Sequence, residues 1–411
     1  MVAHKGEIIV GLDIGTTKVR AVVGEVFTNE IQIIGLGEAK STGIKKGAIV
    51  DINATVSAIK KAVEEAEIMS DYEVSDVYAG IAGQYINGYS GSGVIMTNPS
   101  EITKDDIERV VDQATGLIKS KALQKDSDII HVLPQEFIVN EQYGIKNPVG
   151  MAGGTLEVKI HVVSGPRSFI QNMAKCVNIA GLEIKKLVLE SLAAADAVLT
   201  KDEKDDGVAL IDIGGNSSDM SIFSDGNIQY TYVLPIGGQH LTKDISVVMN
   251  TPFNEAEELK TRYGECISEK IAPEEQISVP SLGRKGANTT HRQILVDIIE
   301  KRTEEIFSLL HEEIYRAGME DKISSGIVLT GGTANMKGIV ELAESIFNAP
   351  VRIGSPDGNI SGLNGIINNP EFATVTGLIK YGAQNIREPG NTKKNKSSIG
   401  NFIQQIINWF K

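Results

Sequence analysis

Two segments of the chain bring a carboxylate, glycines and hydroxyls together in the same order. Ile8 to Val23 reads IIVGLDIGTTKVRAVV, and Val208 to Phe223 reads VALIDIGGNSSDMSIF. Each is an apolar run that reaches Asp-Ile-Gly, turns through small residues and resumes an alternating pattern, which predicts a β-hairpin with a special turn. Gly15, Thr16 and Thr17 would offer successive backbone N–H groups and hydroxyls to an anion, with Lys18 adding a point charge. Gly214, Gly215, Asn216 and Ser217 would form a second such turn. Facing each other, the two would clamp a polyphosphate. Asp13 and Asp212, just before each turn, would face the same cleft and hold Mg2+ through its waters, because that ion keeps most of its hydration shell. GLDIGTTK is not a P-loop: the Gly to Gly-Lys frame is missing, and the segment leads into a strand rather than a helix. A third segment, IVLTGGTANM from Ile327 to Met336, is a buried-strand pattern ending in Gly331 and Gly332, whose bare backbone would let a flat ligand approach closely.

These turns need a scaffold, and the echo between the two hairpins predicts one. Asp13 and Asp212 lie roughly two hundred residues apart, so each half is domain-sized and the chain reads as a duplication. Helical periodicity at Thr55 to Glu67, Ile107 to Lys119, Ser168 to Ala180, Ser191 to Leu199, Asn254 to Tyr263, Gln293 to Ala317 and Lys337 to Phe347 alternates with strand-like runs. That alternation predicts an α/β architecture with partly parallel sheets. With 411 residues, 41% of them hydrophobic, the chain can bury a large core. Its net charge of -13 and the lack of a basic stripe argue against nucleic acid as a partner. Cys176 and Cys266 match no metal-ligand spacing and are too few for a disulfide framework, which fits a reducing cytoplasm. The N-terminus has no signal-peptide h-region, and no apolar run is long enough to span a bilayer, so any membrane contact is expected to be peripheral.

The last residues supply such a contact. Residues 388–398 carry Pro389, Gly390, lysines and small polar residues, a flexible-linker composition. From Ile399 the chain reads IGNFIQQIINWFK. At one residue per 100°, Ile399, Phe402, Ile403, Ile406, Ile407, Trp409 and Phe410 share one side of a helix. Gly400, Asn401, Gln404, Gln405, Asn408 and Lys411 share the other. Such a helix reaches about 18 Å, too short for a hydrocarbon core of about 30 Å, and is expected to lie in the interface. Its target is a membrane or a hydrophobic partner groove. Lys393, Lys394 and Lys396 would add attraction to anionic lipids, and a polymer of such subunits would bind with higher avidity than a single anchor.

Two hairpins followed by one Gly-Gly turn resemble the actin, heat-shock chaperone and sugar kinase superfamily, in which these elements surround ATP. The resemblance implies phosphate contacts at Thr16, Thr17 and Lys18, a second set at Gly214 to Ser217, and adenosine contacts at Gly331, Gly332 and Thr333. It also places Glu257 and Lys260 near the ribose and base. Glu190 looks like the glutamate that orients the attacking water in MreB-like proteins. A carboxylate at a helix start is equally what the helix dipole favours, and both readings stand. Asn216 and Ser217 depart from the superfamily's third glycine and threonine. Asparagine tolerates positive φ, so the turn survives, but its side chain would crowd the phosphates. ATP binding is therefore expected ahead of rapid hydrolysis.

GIKKGAIVDI at Gly43 to Ile52, HVLPQEFIVN at His131 to Asn140, IKNPVGMAG at Ile145 to Gly153 and VLPIGGQHLTKDI at Val233 to Ile245 narrow the match. They resemble the FtsA family of bacterial cell-division proteins, and the likeness runs through nearly the whole chain, tail included. It implies an actin-like ATPase fold with subdomain 1A at 7–83 plus 164–205, an inserted subdomain 1C at 84–163, 2A at 206–238 plus 322–387, and 2B at 239–321. It implies head-to-tail polymers, a seat on the cytoplasmic face of the membrane at the division site, and further division proteins as partners. In this family 2B receives the C-terminal peptide of FtsZ, the tubulin-like ring protein. Arg292, Lys301 and Arg302 would pair with acidic residues of that peptide, or form an ordinary solvated helix face. Two other functions share the superfold. A sugar or acetate kinase would need a base beside an acceptor pocket, which no motif here specifies, and a pilus-assembly adaptor would not need the tail.

Overall fold

The structure, a computed structural model, describes residues 6–28, 30–45, 47–121, 126–282, 287–358 and 360–386. The expected linker at 388–398 and the amphipathic segment 399–411, with its apolar face from Ile399 to Phe410, lie outside the described residues.

Two sheets built on one plan dominate the fold. In the first half, strands Glu7–Ile14, Lys18–Val26 and Ile31–Lys40 form an antiparallel meander. Strands Asp76–Ile81 and Glu183–Leu189 then join in parallel on the far side of the first strand. In the second half, Val208–Ile213, Ser218–Ser224 and Asn227–Leu234 form the meander, and Ile327–Thr330 and Val351–Ile353 join in parallel. The strand orders match one for one, apart from a two-residue strand, Ile360–Ser361, added at the edge of the first sheet. The duplication read from the hairpins therefore extends over both sheets.

Helix Ile52–Ser70 packs under the first sheet, starting at Asp51, whose side chain accepts from the Ala54 N–H at 3.0 Å. Ala58, Ala62 and Ala66 line its buried face, and the strand above it answers with Gly37. A Cβ on Gly37 would lie 1.8 Å from the Ala62 carbonyl oxygen, so only glycine lets the helix and the strand carrying Glu38 come this close. Strands Asn87–Met96, Ser127–Val139, Gln142–Ile145 and Thr155–Pro166 form a separate antiparallel sheet. The buried face of helix Lys104–Lys121 covers that sheet, with Val110 and Ala114 packed on Phe137, Leu156 and Val158. This unit is inserted between strand Asp76–Ile81 and helix Arg167–Ile179. It reaches the second half directly: Gln135 Nε2 donates to the Ile228 carbonyl at 3.0 Å, and the Asn227 amide returns a bond to the Gln135 carbonyl at 2.7 Å.

Among the described residues, each helix expected between Thr55 and Phe347 is present with its ends shifted by a few residues. Gly238–Val248 and Ala373–Ile386 are additional. The second explains a departure from the expected boundaries, which placed residues 322–387 wholly in the second half. From Ile360 the chain returns to the first sheet. There Val375, Leu378 and Ile379 of the C-terminal helix pack against Ile9, Val22 and Tyr78, burying apolar area that the second half does not offer them.

Candidate nucleotide site

The two hairpin turns meet across a cleft of about 800 Å³. Register places Asp13 opposite Arg20 in the first hairpin and Asp212 opposite Asp219 in the second. Contact between the turns is direct: a Cβ added at Gly215 would lie 2.5 Å from the Thr17 methyl carbon. The second turn is closed by the Gly214 N–H donating to the Ser217 carbonyl at 3.0 Å. It is held from behind by the start of helix Gly238–Val248, where the Gly238 and Gln239 N–H groups donate to the Gly214 and Gly215 carbonyls at 2.9 and 2.7 Å. Asn216 has a negative φ, so the turn does not call on asparagine's tolerance of the left-handed region. The third element closes the site: Gly331 has φ 86°, and a Cβ there would lie 2.2 Å from Asp212 Oδ1.

Asp13, Gly15, Thr16, Thr17, Lys18, Glu190, Asp212, Gly214, Gly215, Asn216, Ser217, Glu257, Lys260, Gly331, Gly332 and Thr333 all line this one cleft. Their partners differ from the simplest expectation in three places. Lys18 Nζ sits between carboxylates, 2.8 Å from Glu38 and 3.5 Å from Glu371, so a phosphate would compete with both for it. Ser217 donates its hydroxyl to Asp219 at 2.8 Å. Lys260 is 8% exposed and spends three donors on the Gly238 carbonyl, Thr242 Oγ1 and Glu257 Oε2, at 3.0, 2.9 and 2.8 Å. It thereby braces the two helices at the end of the cleft and fixes Glu257.

Four carboxylates crowd the floor. Burial pushes Asp13 up to about 6, opposed by Arg20 and reinforced by Glu38. Asp212 rises to about 7 through burial and Asp219, with the Thr374 hydroxyl at 3.1 Å pulling the other way. Asp219 reaches about 6 through burial, against the hydrogen bond from Ser217. Glu190 is held well above the ordinary carboxylate range by burial, then by Asp13, Asp219 and Asp212. A cluster that is costly to ionise fits a bound dication, which would restore the charged forms. Among the described residues, no three such groups converge closely enough to ligate a metal directly.

Arg20, Glu371, Asp219 and Thr374 escaped the sequence reading. The signal for Asp219 and Arg20 was present, since each is the hairpin partner of a predicted aspartate. Arg20 is 6% exposed, donates to Glu38 at 2.8 Å and to the Glu371 carbonyl at 2.6 Å, pairs with the Glu371 carboxylate, and lies over the Phe372 ring. Glu371 and Thr374 had no signal, because only the folded chain brings residues from so late in the sequence against both hairpins.

Comparison with known proteins decides the family. The family described as Cell division protein FtsA matches residues 209–377, and the SHS2 domain inserted in FtsA matches 83–164. The Cell division protein FtsA of Pseudomonas aeruginosa is 43% identical over 382 residues, covering 93% of this chain and 90% of that protein. Its counterpart in Escherichia coli K12 is 34% identical over 415 residues, covering 98% of each. The chain belongs to the FtsA family of cell division proteins. Solved structures show the fold at lower identity. A chain of the PilM-PilN type IV pilus biogenesis complex superposes with a TM-score of 0.67 at 16% identity, covering 91% of this chain and 98% of that one. MreB5 of Spiroplasma citri bound to ADP gives 0.55 at 16%, covering 94% and 100%. The architecture is thus actin-like with an SHS2 insertion, and FtsA relatives at this identity disfavour the pilus-adaptor and kinase readings.

The residues expected to meet an acidic peptide are divided by the structure. Arg292 is committed to its own chain, donating to Glu265 and Glu275 at 3.0 Å each and to the Tyr263 carbonyl at 2.8 Å. Lys301 and Arg302 instead border a groove of about 380 Å³ with Val248 and Ile298. Arg302 donates to Asp244 at 2.6 Å and pairs with Glu305, while Lys301 pairs with Glu304 at 2.8 Å and is largely exposed.

Proposed function

We propose that this FtsA family member binds ATP with Mg2+ in the cleft between the two hairpins, polymerises head to tail, and tethers the FtsZ ring to the cytoplasmic face of the membrane at the division site. The observation that carries the nucleotide reading is the meeting of Thr17 and Gly215 over four carboxylates, which leaves a slot with anion-binding turns above and a cation-demanding floor below. Thr16, Thr17 and Lys18 on one side and Gly214 to Ser217 on the other hold the phosphates. Gly331, Gly332 and Thr333 face the adenosine, with Glu257 fixed by Lys260 for the ribose. Asp13 and Asp212 hold the hydrated cation, whose chemistry is to neutralise the charge on the phosphates. Glu190 accepts a hydrogen bond from the attacking water and orients it, and hydrolysis is slow.

The proposed units keep 1A, 1C, 2A and 2B as outlined from the sequence, with residues 360–386 reassigned to 1A. The groove bordered by Lys301 and Arg302 receives the FtsZ C-terminal peptide, and residues 399–411 form the lipid anchor. Further division proteins assemble on the polymer. Sedimentation with anionic vesicles, with and without ATP, tests the tether by comparing the full chain with a truncation ending at Arg387. Lipid binding should disappear in the truncation while ATP affinity persists. Equal sedimentation of both forms would overturn the anchor, and absence of ATP binding by either would overturn the nucleotide site.

A further inference from the structure

Glu190 stands where three units meet, and each supplies one constraint on it. The first half supplies Gly80, where a Cβ would come within 2.9 Å of Glu190 Cγ, so the glutamate stem lies against bare backbone. The second half supplies Ser221, whose hydroxyl donates to Ser191 Oγ at 2.6 Å, one residue past the glutamate. The inserted unit supplies His131, whose Nε2 accepts the backbone N–H of Leu189 at 3.0 Å, one residue before it. Leu189 is buried and ends the strand Glu183–Leu189, and helix Glu190–Val198 begins at the next residue. His131 is 5% exposed on strand Ser127–Val139. Burial, and then Lys186, push its pKa down to about 3, so the ring stays neutral and keeps its acceptor.

We propose that His131 is a positioning residue for Glu190: it ties the helix start to the inserted unit, so that the seat of that unit sets where the carboxylate meets the attacking water. The proposal rests on the reading of Glu190 as the water-orienting group. A buried backbone N–H must have an acceptor. Without the imidazole, the Leu189 N–H would be stranded and the backbone would shift to satisfy it. A shift of about 1 Å in a group that aligns reactants costs on the order of 100-fold in rate. None of these atoms touches the phosphate turns, so nucleotide affinity has no reason to follow.

The test is single-turnover hydrolysis of bound ATP with Mg2+ by the full chain, with ATP affinity measured in parallel. His131→Leu removes the acceptor at similar volume, whereas the amide oxygen of His131→Gln can take over the bond. The expected result is a slowing of roughly 10- to 100-fold in His131→Leu, with affinity unchanged and most of the rate regained in His131→Gln. Wild-type hydrolysis in His131→Leu, or equal losses in the two variants, overturns the proposal. Should His131→Leu fail to fold, His131→Asn replaces it: its amide is too short to reach the Leu189 N–H, and a wild-type rate there is equally fatal. Glu190→Gln, measured alongside, separates the two readings. If it leaves hydrolysis intact, or if the wild-type chain does not hydrolyse, the role of Glu190 falls and the proposal with it. If it abolishes hydrolysis while His131→Leu does not, only the proposal about His131 falls.

Discussion

Replacing Gly215 with alanine should weaken ATP binding without unfolding either half. The new Cβ would lie 2.5 Å from the Thr17 methyl carbon, with the Thr17 Cβ and Oγ1 next at 3.6 Å, an ordinary contact distance. The clash is therefore with one methyl group on the opposite half. Two kinds of relief exist. The turns can separate by about 1 Å, which spoils a clamp that must grip the phosphates from both sides. Alternatively Thr17 can rotate, but a β-branched side chain is stiff at χ1, and rotation carries its hydroxyl out of place. Overpacking of this kind costs about 1–3 kcal/mol, or roughly 5- to 150-fold in Kd if it falls on the bound state. Thr17→Ser removes the offending methyl and keeps the hydroxyl, so alone it should cost less than about 1 kcal/mol. The double variant should recover most of the affinity lost by Gly215→Ala, giving a coupling energy of about 1–2 kcal/mol. Titration calorimetry with ATP and Mg2+ on the four proteins reads this out, with melting temperature as the folding control. Additive losses in the double variant would show that the two turns do not close on the nucleotide as described.

Gly331→Ala should be more harmful than Gly215→Ala, because the clash at 2.2 Å is with Asp212 Oδ1 and φ is 86°. With ψ at 170° this backbone conformation is essentially reserved to glycine, and strain of about 1–3 kcal/mol adds to the steric cost, so thermal denaturation should show a lower Tm as well as weaker ATP binding. His161 bridges Ser90 and Thr231 at 2.9 Å each, joining the inserted sheet to the second half, and burial lowers its pKa to about 4. Because the folded value lies below the unfolded value of about 6.5, the unfolded chain takes up the proton first. The contribution is intact above that pH and is lost as pH falls toward 4, reaching about 2 kcal/mol at pH 5. The raised aspartates of the cleft act in the opposite sense, gaining stability as pH falls, so the measurement is the difference in stability between wild type and His161→Gln at pH 5 and pH 7.5. A difference that does not change with pH would refute the assignment. Replacing Trp409 and Phe410 with glutamate should release the full chain from anionic vesicles with ATP affinity unchanged, and retention by the vesicles would refute the anchor.

The parts of the site legible from the sequence are those made by local chain geometry. A hairpin that turns at Asp-Ile-Gly declares its register, and register predicts both the cleft-facing aspartates and the turn glycines. Following the register one step further identifies the opposing Arg20 and Asp219. Long-range placement carried no such signal. Helix Ala373–Ile386 reads ATVTGLIKYGAQNI, with β-branched residues and two glycines in its body, and most of its residues are buried. Glycines and β-branched residues are weak helix formers, so local propensity argues against a helix that burial against the first sheet stabilises. Helix Gly238–Val248 was hidden for a different reason: its Gly-Gly start looks like a loop until one sees its N–H groups donated to the second phosphate turn. The intrachain partners of Arg292 were equally hidden, because a helix-face arginine gives no sign in sequence of distant carboxylates such as Glu265 and Glu275.

The same C-terminal helix bears on how the cleft works. Glu371, just before it, holds Arg20 and Lys18 of the first hairpin, while Thr374 in its first turn donates to Asp212 of the second. Three residues on, Gly377 meets helix Glu190–Val198 so closely that a Cβ would lie 1.8 Å from the Ala193 carbonyl oxygen. At the base of the molecule, backbone lies on backbone with no side chain between. At the mouth of the cleft, the two turns touch through one threonine methyl. Ala193 and Gly377 both belong to the first half, so this close-packed contact fixes the C-terminal helix rigidly to it, whereas the second half meets that block through the Thr374 hydroxyl on Asp212 and, at the mouth, through a single methyl contact that is worth little. Phosphates that pull Lys18 away from Glu371 would then act at one end of a helix whose other end leads towards residues 388–411.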